Sequence, residues 1–107
     1  MRDITQEEFR ELIVNDQSAI ILDARGPDEW VMGVIDENVV MMNVLDREMF
    51  KAKVLELESN KNYYVYCRSG NRSVSACQIL EAAGIENTYN LLGGMLAWEG
   101  TTVIPKP

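Results

Sequence analysis

The residues best suited to chemistry lie together in one stretch, Cys67-Arg68-Ser69-Gly70-Asn71-Arg72-Ser73. A thiolate needs hydrogen-bond donors and positive potential around it, and a loop of this composition offers both. The chain contains no histidine, which excludes Ser-His-Asp triads, Cys-His dyads and HExxH metal sites at once. Any nucleophile here must be activated without imidazole. From Ser59 to Leu80 the sequence carries Lys61, Arg68 and Arg72 and no Asp or Glu, an island of positive charge in a chain whose formal net charge is −7. A free cysteine with pKa ~8.5 is only about 3% thiolate at pH 7, and lowering that pKa to ~6.5 requires roughly 2.7 kcal/mol of differential stabilisation. Backbone donors, a helix N-terminus and a nearby arginine are the groups that would supply it, so Cys67 is expected to have a depressed pKa. Cys77, ten residues on, falls on an apolar helix face and reads as a packing residue.

The elements that must hold this loop follow from the hydrophobic pattern. Tyr63-Tyr64-Val65-Tyr66 is aromatic and β-branched, predicting a strand that runs straight into Cys67. Residues 71–83 place Val74, Cys77, Ile79, Leu80 and Ala83 on an inner face, predicting a helix that Gly84 ends in a left-handed cap. The loop is thus a strand-to-helix junction, where unpaired backbone N–H groups converge at the positive end of a helix. Gly70 permits the left-handed angles such a nest needs, and Asn71 tolerates them better than most residues.

Upstream, Thr5 and Glu8 form a capping-box pattern that predicts a helix over 6–14, and Ala19–Asp23 reads as a strand buried on both faces. A short helix from Pro27 to Met32, a strand over 39–42 and a helix over 45–57 follow. Residues 88–91 read as the last strand, Gly93-Gly94 as a turn and Met95–Glu99 as a closing helix, with residues 1–3 and 101–107 expected to fray. Alternating strand and helix imply an α/β layer with a largely parallel sheet, in which ligands bind beyond the carboxyl ends of the strands. Residues 1–107 are expected to form a single domain, since a chain of this length can bury one core.

The loop and its flanks resemble the single-domain rhodaneses, a sulfurtransferase family. Leu22-Asp23-Ala24-Arg25 and Glu29-Trp30 match the family's Asp-x-Arg and following Glu-aromatic pair. Cys67–Arg72 matches its six-residue active loop, and Leu92-Gly93-Gly94-Met95-Leu96-Ala97-Trp98 its closing segment. The family's usual Gly-His-Ile-Pro-like segment is replaced here by Gly33-Val34-Ile35-Asp36-Glu37-Asn38. The resemblance implies a three-layer fold, a central and mostly parallel five-stranded sheet with helices on both faces. It implies thiosulfate:cyanide sulfurtransferase chemistry, in which Cys67 takes a sulfane sulfur from an anionic donor, holds it as a persulfide and passes it to cyanide, a thiol or a protein acceptor. Cys67 is then the catalytic residue and Arg68, Ser69, Gly70, Asn71, Arg72 and Ser73 form the substrate-binding cradle, with no metal and no cofactor.

Two other readings compete. A silent interaction or sensor module would keep the fold without turnover. A cysteine phosphatase or arsenate reductase would need five residues between Cys and Arg where this chain has four, and one residue adds at most ~3.5 Å of contour to so small a cradle. Asp23 and Arg25 read as a clamp pairing with each other or with Glu29, and Trp30 and Trp98 read as packing aromatics. The acidic balance argues against nucleic acid and anionic membrane as partners. With neither a secretory h-region nor ~20 consecutive apolar residues, the expected setting is cytoplasmic.

Overall fold

In a computed structural model, which describes residues 1–105, a five-stranded sheet lies between two layers of helices. The strands are β1 (Arg2–Ile4), β2 (Ala19–Asp23), β3 (Val40–Met41), β4 (Asn62–Tyr66) and β5 (Asn87–Leu91). The helices are α1 (Gln6–Asn15), α2 (Pro27–Trp30), α3 (Arg47–Val54), α4 (Arg72–Ala82) and α5 (Gly94–Ala97). The strand order is β1-β5-β4-β2-β3, and every neighbouring pair is parallel.

Side-chain alternation along the central strand builds both cores. Tyr63 and Val65 of β4 join Leu22, Phe50, Val54, Ala76, Cys77 and Leu80 on the face covered by α3 and α4. Tyr64 and Tyr66 point the other way, into a cluster with Ile4, Phe9, Ile21 and Leu91 against which Trp98 packs. Phe9 meets Tyr64 and Trp98 edge to face, with centroids 5.8 and 5.7 Å apart. A strand buried on both sides has no polar alternation, which is why β4 reads as a continuous apolar and aromatic run.

Several boundaries differ from the sequence reading for local reasons. Residues 1–3 do not fray: Arg2, Asp3 and Ile4 pair with Tyr89, Asn90 and Leu91 to make the edge strand, and Ile4 is fully buried. Near the other end, Val103 exchanges backbone hydrogen bonds with Val34 at 2.8 Å in an antiparallel bridge, while Lys106 and Pro107 lie outside the described residues. The helix expected over 45–57 is shorter, because Asp46 caps it by accepting from the Met49 amide and its end tightens into the Lys53–Glu56 and Val54–Leu57 turns. The helices expected over 27–32 and 95–99 are single turns at 27–30 and 94–97, and the strand expected over 39–42 holds only Val40 and Met41. The Thr5–Glu8 capping box forms as read.

The chain leaves β2 toward β3 and leaves β4 toward β5, so the connections after these two adjacent strands diverge. Such a divergence opens a crevice at the carboxyl end of an open α/β sheet. Cys67 follows directly on β4 at that point.

Candidate active site

The loop after β4 is curled so that its first two carbonyls dock on α5. The Cys67 carbonyl accepts from the Met95 amide and the Arg68 carbonyl from the Leu96 amide, both at 2.9 Å. Gly94 makes this approach possible: a Cβ there would lie 2.5 Å from the Cys67 carbonyl oxygen and 2.6 Å from that of Arg68. With the carbonyls held by α5, amides are left to turn toward the sulfur. The Gly70 N–H donates to Cys67 Sγ at 3.1 Å, from a backbone with φ +106° that favours glycine. Asn71 needs no such freedom, since its φ of −88° is right-handed; its side chain makes no capping bond to α4.

Cys67 is 1% exposed, and the Ser73 hydroxyl lies 3.3 Å from its sulfur. Burial opposes ionisation of the thiol. The Ser73 hydroxyl and the amides of Ser73, Gly70 and Ser69 outweigh it and hold the pKa below that of an ordinary cysteine. Ser73 is fully buried, and its one hydroxyl proton has a second acceptor in the side-chain oxygen of Asn90.

The other loop residues divide by position. Arg68, Ser69 and Asn71 are exposed, Arg72 is half-buried, and Gly70 and Ser73 are interior. Both terminal nitrogens of Arg72 are engaged by the Glu29 carboxylate, at 2.7 and 2.9 Å. The Arg72 guanidinium holds Glu29 at a pKa of about 2. Arg68 has no ion-pair partner among the described residues. Lys61, counted with these arginines along the sequence, lies before β4, at the end away from Cys67, and pairs with Glu58 at 3.8 Å. Positive potential at the sulfur therefore comes from fewer side chains than the segment's charge count implied, and more of it comes from backbone amides.

The neighbouring loop after β2 is held by the expected clamp. Arg25 meets both carboxylate oxygens of Asp23, at 2.8 to 3.1 Å, and reaches the Gly33 carbonyl at 2.7 Å. The Tyr66 hydroxyl accepts from the Ile35 amide at 3.1 Å, so the segment that departs from the rhodanese pattern is pinned by Arg25 and Tyr66. Cys77 sits in the α3–α4 core, fully buried, and desolvation pushes its thiol up to about 12. Sequence reasoning did not single out Asn90, Asp3 or the Glu29–Arg72 pair. The strand Asn87-Thr88-Tyr89-Asn90-Leu91 is polar at three of its five positions, so nothing in the sequence marked Asn90 out.

A family model described as the Rhodanese-like domain matches residues 5–101. The chain belongs to the rhodanese-like domain family. YtwF of Bacillus subtilis, which bears a sulfurtransferase name, is 33% identical over 103 residues, covering 95% of this chain and 94% of its own length. A sulfurtransferase of Allochromatium vinosum is 28% identical over 98 residues, covering 92% and 88%. The crystal structure of a rhodanese-like domain protein from Staphylococcus aureus superposes with a TM-score of 0.84 at 29% identity, over 99% of this chain and all of that one. The family and the names of these relatives support a sulfurtransferase role. Among the described residues no helix is long and apolar enough to cross a membrane.

Proposed function

We propose that this rhodanese-like domain moves a sulfane sulfur from an anionic donor such as thiosulfate to cyanide or a thiol acceptor, through a persulfide on Cys67. One observation carries the reading: the Cys67 sulfur lies under the Gly70 amide and beside the Ser73 hydroxyl, in a setting that favours its anion.

In the first half-reaction the Cys67 thiolate attacks the outer sulfur of thiosulfate. The new Cys67 S–S bond forms as the sulfur–sulfur bond of the donor breaks, and sulfite leaves with the electron pair. The negative charge then resides on the outer sulfur of the persulfide, within reach of the loop amides that solvated the thiolate. Donors fixed before reaction cost no reorganisation during it. Exposed Arg68 is placed to attract the dianionic donor, while Arg72, clamped by Glu29, fixes the far end of the loop. In the second half-reaction cyanide or a thiolate attacks the outer sulfur, and the electron pair returns to Cys67 Sγ. No external oxidant or reductant is consumed.

Mass spectrometry after thiosulfate treatment is the direct test. An adduct of about +32 Da on Cys67, removed by a reducing thiol and absent in Cys67→Ser, is the expected result. Persulfide formation without thiocyanate production from cyanide would mark a sulfur carrier, and no adduct at all would overturn the reading. An aryl phosphate is expected to stay unhydrolysed, because the loop is one residue short of a tetrahedral-oxyanion cradle.

A further inference from the structure

The Ser73 hydroxyl has one proton and two neighbours that can take it. It donates to Asn90 Oδ1 and lies 3.3 Å from Cys67 Sγ. The Asn90 amide cannot choose its orientation freely, because its nitrogen donates to Asp3 Oδ1 at 3.0 Å and to the Gly70 carbonyl at 3.4 Å. Its oxygen is therefore the atom that faces Ser73. While the proton is on this bond, Ser73 offers the sulfur only a lone pair, which suits a thiol that donates to it. Against a thiolate the same arrangement sets lone pair against anion, so the hydroxyl must rotate and leave the Asn90 oxygen without its donor.

We propose that Asn90, held in orientation by Asp3 across the β1–β5 pairing, is a positioning residue that competes with the Cys67 thiolate for the Ser73 hydroxyl proton. Asn90 restrains ionisation in the resting enzyme and takes the hydroxyl back once sulfur transfer has moved the charge to the outer sulfur of the persulfide, leaving Cys67 Sγ neutral. The rotation transfers no proton between groups; the thiol proton itself leaves to solvent. The other charged groups around the site are already committed, Arg72 to Glu29 and Arg25 to Asp23, and Arg68 points to solvent. Ser73 is thus the adjustable donor, whereas the Gly70 amide is fixed by the backbone.

The role rests on reading Cys67 as the nucleophile. Thiolate absorbance near 240 nm reports its ionisation with no sulfur donor present, so a failure of sulfur transfer and a failure of this proposal are separate results. The signal assigned to Cys67 is the part lost in Cys67→Ser. Ser73→Ala is expected to raise the titration midpoint. Asn90→Ala is expected to lower it, giving about fivefold more thiolate relative to thiol at a fixed pH, the equivalent of one neutral hydrogen bond. In the Ser73→Ala background Asn90→Ala is expected to shift the midpoint much less, the remainder coming from its lost contact with the Gly70 carbonyl. An equal shift in both backgrounds, or a shift upward, overturns the proposal. If circular dichroism shows that Asn90→Ala does not fold, Asp3→Asn at the exposed end of the relay carries the test. Loss of its charge acts on the thiolate in both backgrounds, so only a larger downward shift with Ser73 present supports the relay; equal shifts overturn it.

Discussion

Cys67 and Cys77 are both buried, at 1% and 0% exposure, yet their thiols shift in opposite directions. Burial penalises the thiolate at each site. At Cys67 the Ser73 hydroxyl and three loop amides overcome that penalty, whereas at Cys77 the Thr88 hydroxyl is the principal favourable contact and the thiol rises to about 12. The two environments share elements. Ser73 and Cys77 lie one turn apart on the inner face of α4, and they meet Asn90 and Thr88, two residues apart on β5. Reactivity is therefore decided by the position of each sulfur along the strand-to-helix unit. At the junction, backbone amides are unpaired and can be aimed at an anion, while one turn into the helix they are spent on the ladder.

The largest expected effect tests this contrast directly. At pH 7 a thiol at about 12 is ionised about once in 10⁵ molecules, against about 3% for a free cysteine, so iodoacetamide should modify Cys67 at least about a thousandfold faster than Cys77 in the native protein. In urea the two rates should converge. Comparable native rates, read by peptide mapping, would break the comparison.

Next in size is Gly94→Ala. The new methyl would collide with the Cys67 and Arg68 carbonyls at a φ of +54°, so the carbonyls could no longer dock on α5. A cost of roughly 2–4 kcal/mol in stability is expected from strain and overpacking. Misaligned amides should slow persulfide formation about a hundredfold, the scale of an ångström-sized misplacement. Denaturant melts and adduct formation over time measure the two parts. A fast, well-folded variant would show that α5 does not aim the loop.

Much of this arrangement was legible in the sequence because it is local. The run Tyr63–Tyr66 announces a buried strand, the Thr5–Glu8 spacing a helix start, and the Cys67–Ser73 composition a strand-to-helix loop that turns an amide to the sulfur, each from residues within one turn or strand. What escaped is long-range and polar. Strand β1 has three residues, two of them exposed, and becomes a strand only by pairing with a segment 87 positions away. Glu29 and Arg72 are 43 residues apart, and their meeting depends on which strands the topology places side by side. Asn90 gives no periodic signal at all, because its role appears only when β5 lies beside α4. The segment's positive charge misled for the same reason: Lys61 is near Arg68 in sequence and at the other end of β4 in space.

A smaller effect sharpens the electrostatic half of the comparison. Glu29→Gln keeps the size of the side chain but removes the charge that clamps Arg72. A loss of about 1–2 kcal/mol and roughly tenfold slower sulfur transfer are expected. The pH dependence identifies the pair. Glu29 has a folded pKa of about 2, below its ordinary 4.5, so the stability it contributes is present above pH 4.5 and is lost as pH falls toward 2. Chemical denaturation between pH 6 and pH 2.5 should show a loss on acidification that Glu29→Gln reduces. Parallel acid profiles would mean that the ion pair contributes nothing to the fold.

The smallest expected effect completes the contrast from the other side. Cys77→Ala removes one sulfur from a well-packed core and no hydrogen bond shorter than the 4.0 Å contact to the Tyr89 carbonyl. It is expected to cost about 1 kcal/mol, the scale of a small core truncation, with persulfide yield and turnover within about twofold of the parent. Cys77→Ser is close in shape but buries a hydroxyl beside Thr88 Oγ1, which makes no hydrogen bond of ordinary length. The serine variant should be destabilised if the new hydroxyl finds no acceptor and rescued toward the parent if it pairs with Thr88, which thermal melts on a Thr88→Val background separate. Either result leaves the proposed sulfur transfer at Cys67 untouched. Lost turnover in Cys77→Ala at full folding would instead assign Cys77 a second reactive role, and the lesson that junction amides make the difference would fail.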